Sequence, residues 1–176
     1  RKAMTMKKLL SLFFSLAMVL SFLPAYAAAD GDAPEISGEE ARLRAAVAEA
    51  AAVAVAAADD GYVEDSTEYE LYDALILSDD LTLPENFTLS VLGALTVPDG
   101  VTLTVNGHIE VHGDIVVSSG GRLLIDTVLH EWGFSLANVY VWEGGTLTVE
   151  AGGELESHGE LHIDTGTAIR MDGTYT

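Results

Sequence analysis

The chain has 176 residues, 28 of them acidic against eight basic, a formal charge of −20 at neutral pH, and no cysteine. The length suits one domain of ordinary size. The charge repels nucleic acid and anionic membranes as partners, and without cysteine neither a disulfide framework nor a thiolate metal site can form.

Residues 1–27 read as a bacterial-type signal peptide. Lys7 and Lys8 give a basic start, Leu9–Leu23 is an almost unbroken apolar run of 15 residues, and Ala25-Tyr26-Ala27 supplies the small-x-small pattern of a cleavage site. A retained membrane anchor is the competing reading, but the apolar run is shorter than the roughly 20 residues a spanning helix needs and is followed by acids. Met4 or Met6 is the expected start. Removing this segment leaves 28 acids against Arg42, Arg44, Arg122 and Arg170, a formal charge of −24. That balance favours solubility outside the cell.

Residues 28–80 are expected to form an Ala-rich helical cap and an acidic junction. Ser37 with Glu40 three residues on predicts a capping box, and Leu43, Val47, Ala50 and Ala54 fall on one helical face. The helix is placed at about Glu39–Ala52, with Val53–Ala58 extended and a turn at Asp59-Asp60-Gly61. Residues 62–73 carry no clear pattern.

From Leu81 the period changes to two. Apolar pairs recur as Leu81/Leu83, Leu89/Val91, Leu95/Val97, Leu103/Val105, Ile109/Val111, Ile115/Val117 and Leu123/Ile125, bounded by Gly, Pro, Asn or Asp. The first members from Leu89 to Leu123 are separated by steps of 6, 8, 6, 6 and 8, so any three consecutive steps sum to 20; Leu147, Leu155, Leu161 and Ile169 give 22. A constant sum over variable steps is what a three-sided coil produces, one strand per turn on each of three parallel sheets. An antiparallel sandwich has no reason to keep it.

A longer repeat aligns residues 106–126 with 152–172 at an offset of 46, placing His112-Gly113 on His158-Gly159 and Asp126 on Asp172. Read as coils of 22 and 24 residues, the larger absorbing an insertion from Thr127 to Asn138, this puts His112 and His158 on one face about 9.6 Å apart.

The phrase from Leu95 to Gly107 (LTVPDGVTLTVNG) resembles the repeats of secreted bacterial right-handed parallel β-helix proteins, the pectate-lyase-like type found in adhesins and large cell-surface proteins. The resemblance covers residues 75–176, and the Ala-rich helix resembles the N-terminal cap such proteins carry. It implies an all-β, three-sided right-handed parallel β-helix over 81–176. It does not choose among lyases, hydrolases, adhesins and spacers.

The candidate sites each have a plainer reading. Both repeats contain His-x-Glu-x-His, at His108, Glu110, His112 and at His158, Glu160, His162; neighbours two apart can share a metal, whereas the outer pair, about 13 Å apart, cannot reach one ion. Solvated histidines are the simpler account. Thr102/Thr104 and Thr146/Thr148 match the rows of ice-binding solenoids, yet threonine is also an ordinary strand residue. Trp132, Phe134, Tyr140 and Trp142 suit either packing over the coil or a sugar-stacking platform. The acid pairs Asp59/Asp60 and Asp79/Asp80 precede the repeats, the coil's only basic residues are Arg122 and Arg170, and the calcium-binding Gly-Gly-x-Gly-x-Asp nonapeptide is absent. No residue is therefore assigned a catalytic, cofactor-binding or metal-binding role.

The expectation is a secreted or cell-surface structural and adhesive β-solenoid segment, not an enzyme. A carbohydrate-binding or polysaccharide-degrading β-helix is the alternative; carboxylates clustered beside Trp132 and Trp142 would favour it. Expected partners are surface glycans or other surface proteins, with end-to-end self-association at the last coil and a chain that continues past Thr176.

Overall fold

Each short strand offers two inward apolar side chains, too few to bury alone, so strands must stack their pairs on those of the next turn. The computed structural model describes residues 37–57, 66–130 and 133–176. The expected signal peptide lies outside the described residues, as do Asp59, Asp60, Glu131 and Trp132.

Helix α1 spans Gly38–Ala57. The Ser37 hydroxyl accepts the Glu40 N–H at 3.1 Å, half of the expected capping box. The other half is replaced: the Glu40 carboxylate accepts instead from Arg44 at 2.8 and 2.9 Å and from the Ser78 N–H and hydroxyl at 3.0 and 2.9 Å. Val53 does not begin an extended segment, because the alanine run has the highest helix propensity of any residue type and carries the helix on. Leu43 and Ala50 are fully buried and Ala46 and Val47 pack beside them, which seats α1 on the first turn of the coil.

The strands form five coils of three. They are β1 (Thr67–Leu71), β2 (Ala74–Ile76) and β3 (Leu81–Leu83), then β4 (Phe87–Val91), β5 (Ala94–Val97) and β6 (Thr102–Val105), then β7 (His108–Val111), β8 (Asp114–Val117) and β9 (Arg122–Ile125). A hairpin of β10 (Thr127–His130) and β11 (Gly133–Leu136) follows. The last two coils are β12 (Asn138–Val141), β13 (Thr146–Val149) and β14 (Glu154–Ser157), and β15 (Glu160–Ile163), β16 (Ala168–Met171) and β17 (Thr174–Tyr175). The first sheet is β1-β4-β7-β12-β15, the second β2-β5-β8-β13-β16 and the third β3-β6-β9-β14-β17. All their pairings are parallel; only the hairpin is antiparallel.

This is the three-sheeted parallel coil the alternation predicted, and the step sum of 20 is the coil length. Leu89 pairs with Ile109, Leu95 with Ile115 and Leu103 with Leu123. These ladders, completely buried in the second and third coils, are the core. Each such side chain contributes about 1.5–3 kcal/mol.

Three expectations are corrected. The coils begin at Thr67, not Leu81, because β1 and β2 already pair with β4 and β5. Tyr69 obscured this: it occupies an inward position where other coils carry an aliphatic, packs against the core, and donates its hydroxyl to Glu39 of α1 at 2.7 Å. Secondly, the insertion is not absorbed into a coil. It leaves the corner between β9 and β12 as the hairpin, and the Ala137 N–H closes its base on the Asp126 carbonyl at 3.3 Å. Finally, the offset of 46 is not a return to the same face. Along the first sheet His108 pairs with Asn138 and Asn138 with Glu160, so two coils on from residue 108 is residue 160, and an offset of 46 lands one strand short. His112 ends the strand of the first sheet, its N–H bonded to the Val91 carbonyl, whereas His158 ends that of the third, bonded to Ile125.

Corner chemistry explains the coil lengths. In the second and third coils the first sheet turns into the second through Leu92-Gly93 and His112-Gly113, where adjacent backbones nearly touch: a Cβ on Gly113 would lie 1.9 Å from the Gly93 carbonyl oxygen. In the fourth coil the same corner is a four-residue turn, Trp142 to Gly145, with left-handed Gly144 at φ 90°. That turn and the hairpin make the step from Asp114 to Thr146 longer than the 20 residues from Ala94 to Asp114.

Candidate functional site on the first sheet

Residues between the inward pairs point outward, and parallel register stacks them in columns up the coil. On the first sheet one column reads Glu68, Thr88, His108, Asn138 and Glu160, and the next Glu70, Ser90, Glu110, Tyr140 and His162. At the corner a third column follows from the bonds made by successive backbone N–H groups: Leu92, His112, Trp142 and Asp164. The outward columns of the second sheet carry Ala94, Thr96, Asp114, Val116, Thr146, Thr148 and Arg170, and those of the third Thr82, Thr102, Thr104, Arg122, Leu124, Glu154 and Glu156. Aromatic side chains therefore gather on the first face, and threonines on the other two.

Four rings form one connected row. Trp142 lies parallel to His112, with centroids 5.8 Å apart and planes 2° from parallel; Tyr140 is 5.9 Å from Trp142 at 21°; and His162 is 4.3 Å from Tyr140 at 6°. Parallel, offset rings of this kind attract by about 0.5–1.5 kcal/mol beyond their burial. Each imidazole also has a carboxylate two residues before it, Glu110 at 3.6 Å from His112 and Glu160 at 2.8 Å from His162. Trp142 stays 39 % exposed within the row.

The two His-x-Glu-x-His sets are thus not equivalent. His162 occupies the column of Glu110, and Glu160 the column of His108. His108 sits 3.2 Å from the Asn138 amide, and His158, on another corner, lies 2.9 Å from Glu156 and 3.4 Å from Asp126. No group of three or more His, Asp or Glu among the described residues could hold a metal ion.

The densest charged cluster is on the third sheet, where Arg122 bridges to Glu156 and lies 3.7 Å from Glu154. The hydrogen bond from Arg122 holds the Glu156 carboxyl below the usual carboxylate range, and the same bond raises the Arg122 pKa. Both stay ionised, the opposite of what a general acid needs. The remaining candidates are structural in their contacts. The carbonyls of Asp79 and Asp80 accept from Arg44 at 2.8 and 3.0 Å, and Arg170 pairs with Asp172 at 2.6 Å. Thr102/Thr104 and Thr146/Thr148 lie on different sheets, so they make no shared array. Trp132 falls outside the described residues, as does the Phe134 side chain.

The ring row was not visible in the sequence, since its partners are 30 residues apart for His112 and Trp142 and 22 apart for Tyr140 and His162. Only the outward placement of Tyr140 and Trp142 could be read from alternation. Among the described residues no helix is long and apolar enough to cross a membrane. Comparison of the chain with protein-family models, with curated proteins and with solved structures gives no match in any of the three.

Proposed function

We propose that the chain is an exported, cell-surface β-solenoid segment with a structural and adhesive role and no reaction centre. The observation that carries this reading is the distribution of outward charge. Acids of the first sheet are strung along the axis, at Glu68 and Glu70 in the first coil, Glu110 in the third, Glu143 at the corner of the fourth and Glu160 and Asp164 in the fifth, and the tightest cluster is locked by Arg122 on the third sheet. Catalysis needs converging groups with protonation poised near the working pH; a scaffold needs stacked coils that add length through neighbour contacts alone. The export signal read in residues 1–27 and the formal charge of −20 suit a soluble extracellular rod. Surface glycans or other surface proteins are the proposed partners. Self-association of the coil is a further proposal.

The test is incubation of the chain with pectin, alginate and cell-wall glycans, with and without calcium. Unchanged polymer length is expected. Depolymerisation abolished by a change at Arg122 or Glu156 would overturn the reading.

A further inference from the structure

We infer that the outward face of the first sheet, over the third to fifth coils, is a binding site for an amino-sugar glycan. This rests on the adhesive reading and names the surface and ligand class through which adhesion works. The first step is size. The row from His112 to His162 covers three coils and one strand width, roughly 15 Å by 13 Å, or about 200 Å². A stable protein partner needs roughly 800 Å² on each side, so the strip is too small for one and matches a few sugar rings.

The second step is the chemistry of the surface. Pyranoses offer flat C–H surface edged by hydroxyls, and the exposed Trp142, with the half-buried Tyr140 beside it, offers rigid aromatic surface to meet it. Their parallel packing on His112 and His162 fixes the ring orientations before a ligand arrives, so little side-chain entropy is lost on binding. Hydrogen-bonding groups surround the row: Glu110 and Glu160 within the outward columns, Glu143 and Asp164 at the corner beyond Trp142.

The third step is charge. Glu143, Glu160 and Asp164 are exposed, and among the described residues this face carries no Lys or Arg. The described arginines are on α1 and on the other two sheets, each already paired with a carboxylate. A protonated amino sugar meets carboxylates with no Lys or Arg competing for them; Glu110 and Glu160 have His112 and His162 beside them, whereas Glu143 and Asp164 pair with no His, Lys or Arg among the described residues. A polyuronate meets only repulsion, strengthened by the net charge of the whole chain.

The experiment is calorimetric titration of the full chain with three oligosaccharides: a glucosamine hexamer with its amines protonated, cellohexaose, and a galacturonate hexamer. The glucosamine hexamer is expected to bind, cellohexaose to bind at least about tenfold more weakly, and the galacturonate hexamer not to bind. Trp142→Ala and Tyr140→Ala should each weaken glucosamine binding by about tenfold or more, with the β-sheet circular dichroism retained. Glu143→Gln, which keeps every ring, should weaken glucosamine binding and leave cellohexaose unchanged, and Thr104→Val on the third sheet should change neither. Failure of the glucosamine hexamer to bind, equal affinity for cellohexaose or galacturonate, or indifference to both ring variants would overturn the inference. Beads coated with the chain separate the two levels. Adhesion to cell-wall fragments that survives Trp142→Ala removes this site and leaves the adhesive reading standing, whereas beads that adhere to nothing remove the adhesive reading.

Discussion

Replacing Gly113 by alanine probes what holds neighbouring coils together. Gly113 is not among the glycines with left-handed backbone, so alanine meets no conformational penalty of its own. The obstacle is distance: the new Cβ would lie 1.9 Å from the Gly93 oxygen and 2.6 Å from the Leu92 oxygen, both backbone atoms that cannot swing aside. Relief requires the third coil to lift at this corner, where the N–H groups of His112 and Gly113 bond the Val91 carbonyl at 2.9 and 2.8 Å and that of Asp114 bonds the Gly93 carbonyl at 2.9 Å. Losing these three at about 1 kcal/mol each costs about 3 kcal/mol, and the stiffer unfolded chain returns less than about 1 kcal/mol. Gly100→Ala is the control, since its site has φ 75° and nothing within 4 Å of the added carbon. Only the left-handed backbone opposes it, at about 1–2 kcal/mol. Urea unfolding followed by circular dichroism should therefore rank Gly113→Ala as the more damaging by about 1 kcal/mol or more. The reverse order would refute the argument that close coil approach, more than turn conformation, demands glycine in this fold.

Glu40→Ala should cost about 2 kcal/mol, because it takes the buried acceptor from the Ser78 N–H and the carboxylate from the half-buried Arg44, which keeps only the Asp79 and Asp80 carbonyls. Hydrogen exchange should show α1 amides losing protection before the coils, and unchanged α1 protection would count against the latch. The Tyr69 hydroxyl is pushed up to about 12, first by burial and then by its bond to Glu39. Its folded value thus lies above the ordinary 10.0, and its contribution should be intact below pH 10 and lost as pH rises through about 12. Tyr69→Phe should abolish that slope, and a phenol titrating at its ordinary value would refute the contact. For Glu156 the sign is opposite: a depressed carboxyl stabilises above its ordinary value of 4.5 and loses that contribution as pH falls through its folded value. Arg122→Met should flatten the acid limb of stability against pH, and an unchanged limb would show the bridge to be idle.

Much of the fold was legible because the coil interior admits one kind of residue. Leu95, Ile115, Leu147 and Ile169 stack in one ladder, so their alternation and spacing betray both the strands and the coil length. The first coil was harder to read because its neighbour on one side is a helix. Tyr69 meets Glu39 there, a partner no strand pattern anticipates. The misplaced His158 has a different cause. Every strand uses the same grammar of inward pair, outward polar residue and glycine corner, so a match at offset 46 cannot say which of three sheets it fell on. Register settles that, and register is a sum of corner lengths.

The same fact bears on how the outward face is built. Lengthening a corner leaves the inward ladders intact, as Ile115 over Leu147 shows despite the hairpin and the four-residue turn between them. Insertions at corners are thus nearly silent for the core, which fixes stability, while the outward columns keep whichever residues the register delivers. Trp142 stands over His112 because the hairpin from Thr127 to Leu136 is looped out whole at the corner before β12. Had those residues been taken into the winding, Val139 would not stack on Ile109, and the ring row would not form. The face is therefore specified separately from the rod that carries it. Changes at Tyr140 or Trp142 should alter the proposed glycan binding while leaving the buried ladders in place, at a cost to stability limited to the two ring contacts each one makes, about 1–3 kcal/mol.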